Sequence, residues 1–110
     1  MSKITKIKRL DALWSKVVRN RAGNKCEYCG STKKVQAHHI IPRTKWALRY
    51  DLENGIALCY RHHFHFAHKD ALAFTAWVET KRDLKYLNSK RNNTTKNDYT
   101  AIELYLNQQL

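Results

Sequence analysis

Apolar side chains near the start of the chain recur with the period of an α-helix. Between residues 10 and 18 they stand at i, i+3, i+4, i+7 and i+8, on one face of an amphipathic helix. The first nine residues are basic and are expected to be mobile. The helix is expected to end near residues 22–24 (AGN), because Gly and Asn accept the left-handed conformation that ends helices. The residues of the apolar face are Leu10, Leu13, Trp14, Val17 and Val18.

The middle of the chain alternates between short apolar runs and turn signals. Residues 35–41 (VQAHHII) are rich in β-branched and apolar side chains and precede Pro42, which predicts a short strand. An irregular, basic connection over 43–55 closes with Asn54-Gly55, a turn signal. Residues 56–59 are then predicted to form a returning strand, and residues 60–68 a short helix.

Two longer helices are predicted after this hairpin, over about 70–88 and 98–109, with the polar stretch 88–97 as a linker between them. The charged residues of 79–91 are predicted to form a solvated helix face. The pattern as a whole predicts a single α+β domain over 1–110, with an N-terminal basic helix at 10–25, a core at 26–68 and a C-terminal helical extension at 69–110. The predicted inward anchors of the two C-terminal helices are Leu72, Trp77, Leu84, Leu87, Ile102, Tyr105 and Leu106.

Length and composition exclude several classes of protein. A chain of 110 residues suits one domain, since about 100–200 residues is the usual domain size, and this excludes a two-domain enzyme. With 43% hydrophobic residues it is too apolar to be disordered. No stretch approaches the roughly 18 apolar residues that span a bilayer, so no integral membrane protein is predicted.

The chain is strongly basic, with 21 Lys and Arg against 9 Asp and Glu and a net charge of +12. Residues 1–25 carry +7 of that charge. Because a Lys or Arg that neutralises a phosphate releases condensed counterions, nucleic acid is the predicted partner. A general solubility charge is the alternative, and an anionic membrane surface is disfavoured because no basic amphipathic segment stands apart from the predicted fold.

All three cysteines and all six histidines lie between Cys26 and His68. An odd number of thiols and the absence of an N-terminal apolar run disfavour a disulfide-stapled secreted scaffold, so a reducing, cytoplasmic location is expected. Cys26-x-x-Cys29 and Cys59-x-x-His62 have the spacing of two halves of a closed tetrahedral zinc site. The alternative is three buried thiols with an incidental histidine.

The remaining histidines and the turn suggest a second chemistry. Neighbouring strand residues point to opposite faces, so His38 and His39 are predicted to have different roles. His62 and His63 lie about 100° apart on a helix, so one can face the zinc and the other the hairpin. Hydrolysis of a phosphodiester needs a base near neutral pKa and a cation, and histidine serves both needs near pH 7.

The motif CEYCG…AHHIIP…ENGIALCYRHH resembles the HNH endonucleases, the zinc-supported ββα-metal nucleases, and most of all the small HNH proteins of phages and prophages. The resemblance covers about residues 10–78 and implies a small, treble-clef-like core. It implies that His39 is the general base and that His38 and His63 hold the catalytic divalent ion. It further implies that Asn54 orients the base by holding the loop.

Two positions depart from the common family pattern. His62 stands where relatives usually have a fourth cysteine, which leaves the roles of His62 and His63 exchangeable. Ala67 stands where many relatives have another histidine, and His65 and His68 are the nearby candidates, with His68 as a possible third metal ligand. The expected catalytic ion is Mg²⁺ or Mn²⁺, with Ni²⁺, Co²⁺ or Zn²⁺ also acceptable to histidine ligands.

The resemblance predicts a metal-dependent endonuclease that nicks or cuts DNA, located in the cytoplasm, or in the host cytoplasm for a phage protein. The alternatives are a zinc-stabilised DNA-binding module without catalysis, and a nuclease selective for branched or recombination DNA. Specificity and oligomeric state stay open. Trp46, in the loop after the first strand, is expected to lie beside the scissile phosphate or to pack into the core. The predicted DNA contacts are Arg19 and Arg21 on the first helix and Arg43, Lys45 and Arg49 in that loop.

Overall fold

A computed structural model describes all residues from 1 to 110. Its first element is helix α1, Lys3–Arg21, and Ser2 caps it by accepting the Thr5 N–H at 3.1 Å. The helix therefore begins well before the predicted apolar stripe, and most of the N-terminal basic residues are helical rather than mobile. An ion pair of 2.6 Å joins Arg9, in this first part of the helix, to Glu103 near the other end of the chain.

A two-stranded antiparallel hairpin follows, as predicted. Strand β1 is Gln36–His39 and strand β2 is Gly55–Leu58, with His39 opposite Gly55. A 3₁₀ turn, Leu52–Asn54, leads into β2. Gly55 lies under α1, and a Cβ at this position would approach the Trp14 ring to 2.8 Å, so only glycine permits the helix to pack this closely.

The chain after β2 is helical but more interrupted than predicted. It forms a π-helical turn at His62–Ala67, then α2 at Ala71–Val78, α3 at Leu84–Lys90 and α4 at Tyr99–Gln108. The single helix predicted over 70–88 is therefore wrong, because the chain leaves the helix after Val78 and Asp83 caps a new one by accepting the Tyr86 N–H at 3.0 Å. The polar stretch between α3 and α4 has no regular structure, as predicted.

Two of the predicted inward anchors lie on the surface. Leu72 is 87% exposed, and α2 instead turns Phe74 and Val78 inward. Tyr105 is half exposed, while its neighbour Leu106 is fully buried. The break between α2 and α3 changes the rotation of the helix, so a single helical period over 70–88 places Leu72 wrongly, although Trp77 does pack against the core.

The hairpin is covered on both faces, and every residue of β2 is buried. One apolar cluster joins α1, α4 and the hairpin through residues such as Trp14, Ala57 and Leu106. The other joins the hairpin to the π-helical turn and α2, and it includes Cys26 and Cys59. None of the helices combines the length and the apolarity needed to span a lipid bilayer.

Candidate active site

Cys26, Cys29, Cys59 and His62 form the first cluster of possible metal ligands. Their ligand atoms all lie within 4.8 Å of one another, and the three thiols are free. The Sγ atoms of Cys29 and Cys59 are 3.8 Å apart, and Cys59 Sγ is 3.2 Å from His62 Nδ1. A tetrahedral zinc ion with Zn–S bonds of about 2.3 Å holds its sulfur ligands about 3.8 Å apart, so the cluster fits zinc.

A second cluster consists of His38, His63 and His68, whose ligand atoms also lie within 4.8 Å of one another. The alternation along β1 and the rotation between His62 and His63 place His38 and His63 together, while His62 stays with the cysteines. Burial, together with the neighbouring His63 and His68, lowers the pKa of His38 to about 3. His38 is therefore neutral near pH 7 and has a lone pair to offer a cation.

His68, not His65, completes this cluster. The two rings of His63 and His68 have their centroids 4.9 Å apart, whereas His65 is exposed and belongs to neither cluster. The intervening π-helical turn explains the spacing, because its i→i+5 hydrogen bonds bring residues five apart onto one face. An α-helix would instead have aligned His63 with Ala67.

Gln36 is a site residue that the sequence prediction missed. Its Oε1 accepts a hydrogen bond from His63 Nδ1. An amide oxygen cannot donate, so Nδ1 carries the proton and Nε2 of His63 is left free for a cation. The signal in the sequence is the i, i+2 spacing of Gln36 and His38, which puts both on one face of β1.

His39 faces the other side of β1, as strand alternation predicts. Its ring stacks on Trp14, with centroids 3.8 Å apart and planes at 7°, and its Nε2 donates to the Arg49 carbonyl oxygen at 2.9 Å. Because the carbonyl can only accept, the proton of the neutral ring lies on Nε2 and Nδ1 has a free lone pair. Burial lowers the pKa of His39, although the hydrogen bond to Arg49 opposes this shift.

Asn54 is fully buried beside this arrangement, at 0% exposure. Its Oδ1 accepts the Ile41 N–H at 2.7 Å, and its Nδ2 donates to the carbonyls of Ile41 at 3.0 Å and Leu48 at 3.2 Å. The side chain thus ties the end of β1 to the far end of the loop, one residue from the carbonyl that binds His39.

Arg49 is not available to DNA in this structure. It is 8% exposed, and its Nε and Nη2 donate to the two carboxylate oxygens of Asp11 at 2.9 and 2.7 Å. This burial and the ion pair leave its guanidinium little open to a phosphate, while the Arg49 carbonyl oxygen is the acceptor for His39.

The other four predicted DNA contacts differ in exposure. Arg21 and Arg43 are exposed. Arg19 and Lys45 are half-buried, and Lys45 Nζ donates to Asn92 Oδ1 at 3.2 Å. Arg21 and Arg43 are therefore the members of this set most open to a phosphate.

Although their rings lie on opposite faces of β1, His38 and His39 both line one cavity of about 340 Å³. His38, His39 and His68 line it, together with apolar side chains that include Phe74 and Val78. The imidazole of His39 and two of the three possible metal ligands, His38 and His68, therefore border one space.

The family model described as HNH endonuclease matches residues 26–65. No curated protein and no solved structure matches the chain. The matched segment contains the hairpin, the four residues of the zinc-type cluster, both histidines of the doublet, Asn54 and His63, while His68 lies just beyond it. Residues 26–65 of this chain are therefore similar to the HNH endonuclease family.

Proposed function

We propose that this protein hydrolyses phosphodiester bonds in DNA, with His39 as the general base. The observation that carries the proposal is the hydrogen bond from His39 Nε2 to the Arg49 carbonyl oxygen. It fixes the neutral tautomer in which Nδ1 can take a proton from water. Stacking on Trp14 holds the plane of the ring, so the base is positioned before substrate binds.

The second part of the proposal is a divalent ion held by His38, His63 and His68. Such an ion supplies positive charge to the phosphate and to the leaving oxygen. The donor set contains three imidazoles and no carboxylate, and imidazole suits Zn²⁺, Ni²⁺ and Co²⁺ whereas Mg²⁺ prefers oxygen ligands. We therefore favour Zn²⁺, Ni²⁺ or Co²⁺ over Mg²⁺ and Mn²⁺, both of which prefer oxygen ligands.

DNA is the proposed substrate because the HNH domain is accompanied by a net charge of +12. The exposed Arg21 and Arg43 offer contacts to the backbone phosphates. Phosphate contacts position a protein on DNA without reading its sequence, so a weak sequence preference follows. Branched DNA is a possible preferred form, to be compared directly with plain duplex.

The test is a panel of divalent ions on supercoiled, linear and branched DNA, with the parent protein, His39→Ala and His65→Ala. We expect cleavage that requires added ion, and a loss of about 10²–10⁴-fold in rate for His39→Ala, the usual contribution of a general base. His65→Ala is the matched control, since it removes an exposed histidine outside both clusters, and it should cleave like the parent.

Binding and zinc content are measured on the same samples. His39→Ala should keep both, because it removes neither a cysteine-cluster ligand nor a surface cation. Folded, zinc-loaded parent protein that binds DNA but cleaves none of the substrates with any ion would instead be a non-catalytic DNA-binding module. Cleavage by His39→Ala at the parent rate would refute the assignment of the base.

A further inference from the structure

A basic groove of about 680 Å³ lies where the start of α1, the loop after β1 and the segment 91–97 meet. None of the residues that line it is acidic. The remaining lining is mostly Asn and Thr, whose amides and hydroxyls can donate hydrogen bonds. The four cations of the lining are Lys3, Lys45, Arg91 and Lys96.

The segment 91–97 is folded onto the loop rather than free, although it has no regular secondary structure. Asn97 Nδ2 donates to the Trp46 carbonyl oxygen at 3.0 Å, and Asn92 Oδ1 accepts from Lys45 at 3.2 Å. A polar stretch that the sequence presents as a linker therefore forms one wall of the groove. Arg91 also lines the groove, so it does not belong to the solvated helix face that the sequence predicts over 79–91.

The loop that carries Trp46 links the groove to the candidate active site. This residue is 42% exposed, so it is not a core residue, and its ring lies 4.5 Å from the guanidinium carbon of Arg49. The carbonyl of Arg49 in turn accepts the hydrogen bond from His39. The same loop thus lines the groove at Trp46 and supports His39 through the carbonyl of Arg49.

Two helices begin at the groove, since Lys3 is the first residue of α1 and Tyr99 the first residue of α4. The N-terminal end of a helix carries a partial positive charge, which adds to that of the lysines. Asp98, the residue before α4, accepts the Ala101 N–H with its carboxylate at 3.1 Å and does not line the groove.

We infer that this groove binds the sugar–phosphate backbone of the DNA beside the bond that is cleaved. The inference rests on the proposed function for its choice of partner. Cations without carboxylates, surrounded by neutral donors, match a run of phosphates, which accept hydrogen bonds from Lys, Arg, Asn and Thr. The C-terminal extension thereby belongs to the DNA-binding surface, which the sequence prediction placed only on the first helix and the 43–49 loop.

The experiment compares two double variants of the full-length, zinc-loaded chain, Lys3→Gln/Lys96→Gln and Lys81→Gln/Lys85→Gln. All four lysines are exposed and their side chains make no hydrogen bond or ion pair, and only the first pair lines the groove. Both variants lose the same charge. Affinity for a short fluorescent duplex is measured over a salt series without added divalent ion, with thermal unfolding as the check on folding.

The groove variant should bind on the order of tenfold more weakly at moderate salt, with the slope of log K against log salt reduced by about 2, one for each lost phosphate contact. The control variant should stay close to the parent. Equal binding by the two variants would overturn the inference, even where the parent cleaves DNA. Selective loss of binding by the groove variant would uphold it, even where no cleavage is found and the proposed function fails.

Discussion

At the scale of the residue, the candidate site is defined by where the imidazole protons lie. His39 donates from Nε2 to a backbone carbonyl, and His63 donates from Nδ1 to the amide oxygen of Gln36. The free lone pair therefore lies on Nδ1 in His39 and on Nε2 in His63. A hydrogen-bond acceptor behind a histidine fixes both its tautomer and its orientation, and such partners strengthen metal ligands.

Gln36 offers a direct test of this idea. We expect Gln36→Ala to weaken divalent-ion binding by about 10–100-fold, the usual cost of losing the group behind a metal-bound histidine. Gln36→Glu keeps an acceptor oxygen and should retain most of the affinity. Calorimetric titration of the ion and the ion concentration for half-maximal cleavage are the two measurements. Equal affinity in Gln36→Ala and Gln36→Glu would mean that Gln36 does not position His63.

The sequence predicts the local part of this arrangement and not the rest. Opposite faces for His38 and His39 follow from strand geometry alone, and the structure confirms them. The partner of His39 is a carbonyl ten residues away across an irregular loop, which no local pattern specifies. Arg49 resembles a free cation in the sequence because its partner, Asp11, lies 38 residues away on α1.

At the scale of the element, the π-helical turn decides which histidines meet. The commoner family spacing places a histidine four residues after the metal ligand, where this chain has Ala67. The turn instead brings His68 beside His63 and points Ala67 into the core with Phe74 and Ile56. The departure from the family pattern is thus matched by a change in the helix, so the chain keeps three histidines together.

A swap of the two positions tests the link between turn and ligand. His68→Ala should weaken binding of the divalent ion, and Ala67→His/His68→Ala should not restore it. Forcing a histidine into the tightly packed site of Ala67 should also cost about 1–3 kcal/mol of stability. Ion titration and thermal unfolding measure the two effects. Full recovery of ion binding by the double variant would show that the segment relaxes to an α-helix and that the π turn is dispensable.

The helices show where the apolar periodicity of the sequence predicts burial correctly and where it does not. The stripe of α1 predicts its buried residues correctly, because one uninterrupted helix packs along its length. Over 70–88 the same reasoning gives the wrong side for Leu72, since Asp83 starts a new helix and the rotation is not carried across the break. The docking of 91–97 depends on side-chain bonds to a distant loop, and the composition of that stretch gives no sign of it.

At the scale of the whole molecule, the zinc-type cluster lies where several thinly packed parts of the chain meet. Cys26 and Cys59 belong to the apolar cluster between the hairpin, the π-helical turn and α2. An ion pair of 2.9 Å between Arg82 and Glu27 adds a second tie from the C-terminal part to the turn that carries the cysteines. Only 20 of the 110 residues are buried, so a metal ion bound by this cluster would add stability that the small core does not supply.

Cys29 separates the contribution of the metal from that of packing. Its side chain is exposed while its Sγ lies within ligand distance of the other three groups, so removal creates no cavity. Structural zinc contributes about 10–16 kcal/mol in small zinc-finger peptides, as much as the whole stability of a typical domain. We therefore expect Cys29→Ala to lose its zinc and its cooperative thermal unfolding. The control is Thr32→Ala, at an exposed neighbouring residue, which should change stability by less than about 0.5 kcal/mol.

Elemental analysis and calorimetry check both variants. A Cys29→Ala protein that unfolds at the parent temperature would show that the fold is stable without the metal.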